Sequence, residues 1–345
     1  MNPIRLGPNQ PPRFYRGGDA IADLRGLSAG NGFQPEDWVA STTTLWGQPE
    51  AGLTHLENGT TLRAAVARDP VAFLGREHVE RHGADPALLV KLLDAGERLP
   101  VHCHPSRAFS RRHLDCPYGK TEAWIVVETR EERPTVHLGF RHDVAAETLA
   151  GWVARQETEA ILGALHGVPV APGDSVLVPA GMPHAIGAGV FVVELQEPTD
   201  LSVLLEWEDF AIDGSADGHL GLGFDVALAC VDRSEWGEEQ LRLLRRSDRD
   251  APIIREGARA LLVADADPYF RAEGIQTPPP CALEASFSIL VVLDGEGRLE
   301  TEGGGALALA RGDTVLVPHA AGTGRLTGAL SAVRCLPPRT AEAAA

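Results

Sequence analysis

In GERLPVHCHP, residues 96–105, only Cys103 separates His102 from His104. On a β-strand alternate side chains share a face, so the two imidazoles point into one space while Cys103 points away. Such a pair either coordinates a metal together or forms a polar face on an edge strand; the residues alone leave both open. Further on, GKTEAW places Lys120, Glu122 and Trp124 on one strand face. That face joins an ammonium, a carboxylate and an aromatic ring.

The elements that must position these residues belong to a 345-residue chain, long enough for two domains with separate cores. Its 37 glycines and 25 prolines favour short strands and turns over long helices. A formal charge of −17 repels nucleic acid and anionic membranes. No apolar run reaches membrane length and no signal-peptide core opens the sequence, so a cytoplasmic location without membrane or nucleic-acid partners is expected. The five scattered cysteines show no CxxC spacing and read as free thiols.

Apolar periodicity predicts helices over about 60–77 and 144–166, and another across RSEWGEEQLRLLRR. SRAFSRRHLDCPY is expected to be a loop. Strands are expected in ALLVKLLDAG, LPVHCHP, KTEAWIVVET, DSVLVPAG, GVFVVELQE and LSVLLEW. The Gly- and Asp-rich AIDGSADGHLG marks a boundary, giving domains 1–214 and 215–345. The second half echoes the first: PGDSVLVPAGMPH (172–184) and RGDTVLVPHAAGT (311–323) share a Gly-Asp turn, an alternating strand and a proline. The closing AEAAA is expected to fray.

The spacings Gly96-x5-His102-x-His104 and Gly173-x5-Pro179-x-Gly181-x2-His184 resemble the two signatures of the cupin superfamily, small double-sheet jelly rolls. The resemblance implies a mainly β fold of two cupin domains with added helices, in which His102, His104 and His184 converge inside the first barrel. Glu122 would supply a carboxylate ligand. The second copy has Thr323 in place of His184 and no His-x-His, and is expected to hold no metal.

LLVKLLDAGERLPVHCHP, GKTEAW, VPAGMPHAIGAGVFVVELQE, EDWVAST and NGTTLRAAVARDPVAFLG together resemble the type I phosphomannose isomerases, which interconvert mannose 6-phosphate and fructose 6-phosphate with a bound zinc. The resemblance implies a metal-dependent aldose–ketose isomerase with one divalent ion, zinc or else Mn, Fe, Co or Ni, held by His102, His104, Glu122 and His184. It implies Lys120 and Glu194 as catalytic residues, Lys91 and Trp124 as substrate-binding residues, and a sugar or sugar phosphate bound by a monomer or homodimer. The chain departs from the family in three places. His102 stands for a glutamine ligand, Pro100 for a serine, and Leu204 falls at the position of an arginine. The missing arginine keeps an unphosphorylated sugar, or cupin oxidoreductase chemistry, as alternatives.

Overall fold

The computed structural model describes residues 1–28 and 30–339; the closing AEAAA lies outside them. The architecture is mainly β, as expected from the cupin resemblance. Two antiparallel sheets face each other in the first barrel. One is ordered Arg245–Ser247, Asp174–Val178, Glu122–Thr129, Val190–Gln196, Leu89–Asp94, Glu36–Val39. The other is ordered Val203–Leu204, His102–Cys103, His184–Ile186, Thr135–Phe140, Leu165–Pro169. A nine-stranded sheet forms the second barrel around its own apolar cluster, which includes Leu290, Val292, Leu299 and Leu326.

Sheet register decides which residues meet. Trp38 lies opposite Lys91, Lys91 opposite Glu194, and Glu194 opposite Trp124, so four strands present one row of side chains to the same face. Two residues along, Gln196 lies opposite Glu122. On the facing sheet Leu204 is opposite His102, and His102 is opposite His184. The jelly roll thus turns a polar row of one sheet toward the histidine row of the other. Val90, Leu92, Ala123, Ile125, Val193 and Leu195 alternate with the polar row and enter the apolar core.

The echo between the halves is a repeated turn. Gly173 and Gly312 both take positive φ, 92° and 86°, a region open to glycine at little cost. In each turn the following aspartate accepts a hydrogen bond at 2.9 Å from the backbone N–H three residues earlier, Ala171 and Ala310 respectively. Where the first barrel gathers histidines, the second has an Arg255–Glu273–Arg334 ion-pair network, with Arg334 also donating to Ser288 Oγ at 3.0 Å.

The division at residue 214/215 is crossed in both directions. Ile4–Leu6 pairs with Thr314–Val317 in the second barrel, while Arg245–Ser247 pairs with Asp174–Val178 in the first.

Several expected elements are corrected. The helix over 60–77 is three short helices, Leu62–Arg68, Pro70–Leu74 and Arg76–His82. The ring of Pro70 cannot continue the first helix, and Gly75 takes φ 87° between the second and third. The helix over 144–166 is Ala146–Arg155 followed by Thr158–Ala164, broken where Gln156 turns left-handed. RSEWGEEQLRLLRR is helical only over Glu238–Leu243, because Arg245–Ser247 is drawn into the first barrel's sheet. SRAFSRRHLDCPY contains the helix Arg107–His113, with Ser106 capping it at Phe109 N. AIDGSADGHLG contains a helical turn, Gly214–Asp217, capped by Asp213. No described helix is long and apolar enough to cross a membrane.

Candidate active site

The segment that carries the histidine pair is held from both ends. Gly96 lies so close to Gly17 that an added Cβ would come within 2.7 Å of its Cα. The buried Glu206 carboxylate accepts from Arg98 Nη1 at 2.7 Å and from Val101 N at 2.8 Å. This fixes Pro100, whose carbonyl accepts from His102 Nδ1 at 2.8 Å. His104 Nδ1 donates to Leu201 O and His184 Nδ1 to Met182 O, each at 2.8 Å. The turn before His184 depends on Gly181, at φ 95°, whose N–H donates to His104 O at 2.7 Å.

A carbonyl only accepts, so each Nδ1 must carry the ring proton and each Nε2 is left with a lone pair. The three rings gather with their ligand atoms all within 4.8 Å of one another. Glu122 joins them, with Oε2 3.0 Å from His104 Nε2 and Oε1 3.3 Å from His184 Nε2. Burial holds His102 well below the usual imidazole range, and burial with Lys120 brings His104 down to about 3. For Glu122 burial acts to raise the carboxyl, but Lys120 and His104 outweigh it and hold it well below the usual range.

These are acceptor atoms packed against acceptor atoms, and His184 Nε2 is buried without a hydrogen-bond partner. Lys120 Nζ answers His104 Nε2 and Glu122 Oε2, but the buried His184 Nε2 lone pair stays unmet unless a further cation sits among the rings. Imidazole nitrogens with one carboxylate form a donor set that suits Zn, Fe, Mn, Co or Ni. The donor chemistry fits a divalent ion. Among the described residues His102, His104 and His184 are the only group of His, Cys, Asp or Glu gathered closely enough to hold one.

The cluster opens on a cavity of about 560 Å³. All of the expected substrate and proton-transfer residues line it: Lys91, Lys120, Trp124 and Glu194. Lys120 Nζ donates to Glu122 Oε2 at 2.8 Å and lies 2.7 Å from His104 Nε2. Trp124 Nε1 donates to the other oxygen, Oε1, at 3.0 Å. Lys91 Nζ lies 3.4 Å from Glu194 Oε1, 3.5 Å from Glu36 Oε2, and 4.9 Å from the centre of the Trp38 ring. Burial and the Glu122 charge raise the Glu194 carboxyl, so it holds a proton more readily than a solvated one.

Part of this wall lies outside the motifs that the sequence displays. Arg13, Tyr15, Glu36 and Asp200 also line the cavity. Arg13 bridges Glu36 Oε1 at 3.4 Å and Asp200 Oδ2 at 3.3 Å, and the Tyr15 hydroxyl donates to Glu36. The available signals were the alternations Arg13-x-Tyr15 and Glu36-x-Trp38, each placing two polar-tipped side chains on one face.

Glu36 links this wall to stability. Burial alone would raise its carboxyl, yet Arg13 and Lys91 bring it down to about 2. A depressed folded value means stability present above the ordinary carboxylate range and lost as pH falls from about 4.5 toward 2. Glu36→Gln is therefore expected to cost about 3 kcal/mol at neutral pH, as when one partner of a buried pair is removed. It should also flatten the stability profile in that acid window, measured by urea unfolding at several pH values. Parallel profiles would contradict the assignment.

No family model matches the chain. It is 27% identical over 248 residues to mannose-6-phosphate isomerase ManA of Bacillus subtilis, covering 70% of this chain and 72% of that one. The fold matches the crystal structure of the mannose 6-phosphate isomerase from Bacillus subtilis with a TM-score of 0.76 at 22% identity, covering 97% of this chain and 99% of that chain. It also matches a mannose 6-phosphate isomerase structure bound with zinc and yttrium, at TM-score 0.72 and 15% identity over 98% of this chain and 100% of that chain.

Proposed function

We propose that this chain, a homologue of the mannose-6-phosphate isomerases with their cupin fold, is a metal-dependent aldose–ketose isomerase of a sugar or sugar phosphate. The observation that carries the proposal is the convergence of His102, His104, His184 and Glu122 on a cavity where Lys120 and Glu194 also stand.

The reaction moves one proton from C2 of the open-chain aldose to C1, and one from the C2 hydroxyl to the C1 oxygen. A divalent ion held by the three imidazoles and Glu122 would polarise the carbonyl and orient the adjacent hydroxyl. The remaining tasks fall to the chain's own side chains. Glu194 and Lys120 are the two groups placed to carry protons, and neither is consumed, since each delivers one proton for every one it takes and exchanges with solvent in between. Trp124 fixes Glu122 through Nε1 and gives the cavity an aromatic wall. Lys91 keeps Glu194 oriented through their 3.4 Å contact.

Lysine beside the carboxylate ligand favours proton transfer over the oxidoreductase alternative, because oxygen chemistry at such a centre has no use for an ammonium there. The test is a screen of aldoses and their phosphates for ketose formation by metal-replete protein. Metal-dependent ketose formation without oxygen uptake is expected. Oxygen uptake with an oxidised product would overturn the proposal.

A further inference from the structure

We infer that the substrate of this cavity is an uncharged, unphosphorylated aldose rather than a sugar phosphate. The inference rests on the isomerase reading and narrows its substrate class.

The lysines and arginines among the described residues lining the cavity are Arg13, Lys91 and Lys120. Each already faces at least one carboxylate. Arg13 lies between Glu36 and Asp200, Lys91 between Glu36 and Glu194, and Lys120 against Glu122. All three are buried or nearly so, and so are the carboxylates they face. Asp217 adds a fifth carboxylate at the rim. Three formal cations thus face five formal anions, and a divalent ion at the histidine cluster would only bring the balance to zero.

A phosphate dianion needs fixed N–H donors free to turn toward it, best supplied by an arginine fork. Here an incoming dianion would have to pull a cation out of a buried pair, leaving a carboxylate uncompensated at a cost of several kcal/mol. The wall beside His102 offers nothing in exchange. Pro100 has no N–H, and Leu99, Leu204, Ile212 and Leu220 are apolar. Arg63 lines the adjoining surface cleft, but Asp85 and Asp200 line that cleft too, and its Nε donates to Thr42 O at 2.6 Å.

What the cavity does offer suits a neutral polyol. Carboxylate oxygens accept from sugar hydroxyls, the Gln48 amide and Ser202 hydroxyl donate and accept, and the half-exposed Trp46 ring lies at the mouth. An indole face packs well on the C–H face of a sugar.

The test measures calorimetric binding and turnover by the metal-replete protein. The probes are D-mannose, D-glucose, D-xylose and D-lyxose, each beside its terminal phosphate, with inorganic phosphate as competitor. At least one neutral aldose is expected to bind, with an affinity and kcat/KM about 100-fold or more above its phosphate, and inorganic phosphate at 10-fold excess over the sugar should not compete. Equal or tighter binding of a phosphate ester, competition by inorganic phosphate, or no binding of any neutral aldose would overturn the inference. Ketose formation from the phosphates alone would leave the isomerase reading standing while this inference fell. Neutral aldose bound but never isomerised would do the reverse.

Discussion

His184→Ala protein is expected to purify folded but without bound metal, and to lose isomerase turnover by at least about 1,000-fold. His184 sits at the centre of the facing sheet's row, paired across from His102, with Nδ1 locked on Met182 O and Nε2 aimed at Glu122. Removing it takes away one of three imidazole ligands, and a polarising metal supplies several kcal/mol to a reaction of this type. The fold should tolerate the change. The ring's Nε2 has no hydrogen-bond partner within the protein, and Ala185 and Ile186 on the same strand supply the apolar packing. Metal analysis with a thermal melt separates the two effects. A variant with full metal content would show that the centre is assembled differently, and one that fails to fold would show that His184 is a structural residue.

Lys120→Met is expected to give the opposite combination: full metal content with kcat lower by about 100- to 10,000-fold, the range lost with a proton-transfer group. In the protein, Nζ lies 2.7 Å from His104 Nε2 and 2.8 Å from Glu122 Oε2. An ammonium there shares the lone pairs that a metal would use, so its removal should leave metal affinity equal or raise it. A methionine keeps much of the side chain's length and apolar stem, which limits changes in cavity shape and hence in KM. Metal content measured beside kcat and KM decides the matter. Unchanged kcat would remove Lys120 from the chemistry, and loss of metal would make it a support of the centre.

Much of the histidine–carboxylate cluster was legible because its residues lie on or next to strands with strict alternation. His102 and His104 flank a buried cysteine, and Glu122 and Trp124 flank a buried alanine. The Gly-Asp turn was legible for a similar reason: local hydrogen bonding between adjacent residues sets it, and it recurs at Gly173 and Gly312. The Arg13–Glu36–Asp200 wall was not. Glu36–Val39 is buried on both faces and Asp37 is as polar as Glu36, so the Glu36-x-Trp38 alternation does not by itself tell which face meets the cavity. Arg13 and Asp200 come from irregular segments whose meeting depends on long-range folding. The helix expected through RSEWGEEQLRLLRR failed because sheet pairing with Asp174–Val176 outweighs helical propensity at Arg245–Ser247. Local pattern cannot report that competition.

The central claim is proton transfer between adjacent sugar carbons at the centre formed by His102, His104, Glu122 and His184. It is tested most directly by running the turned-over aldose from the substrate screen in deuterium oxide and reading C1 and C2 by NMR. The expected result is deuterium at C2 of the recovered aldose and at C1 of the ketose, appearing with metal-replete protein and absent after chelation. Aldose and ketose that both stay free of deuterium through many turnovers, as direct hydride transfer from C2 to C1 requires, or turnover that survives complete metal removal, would contradict the account.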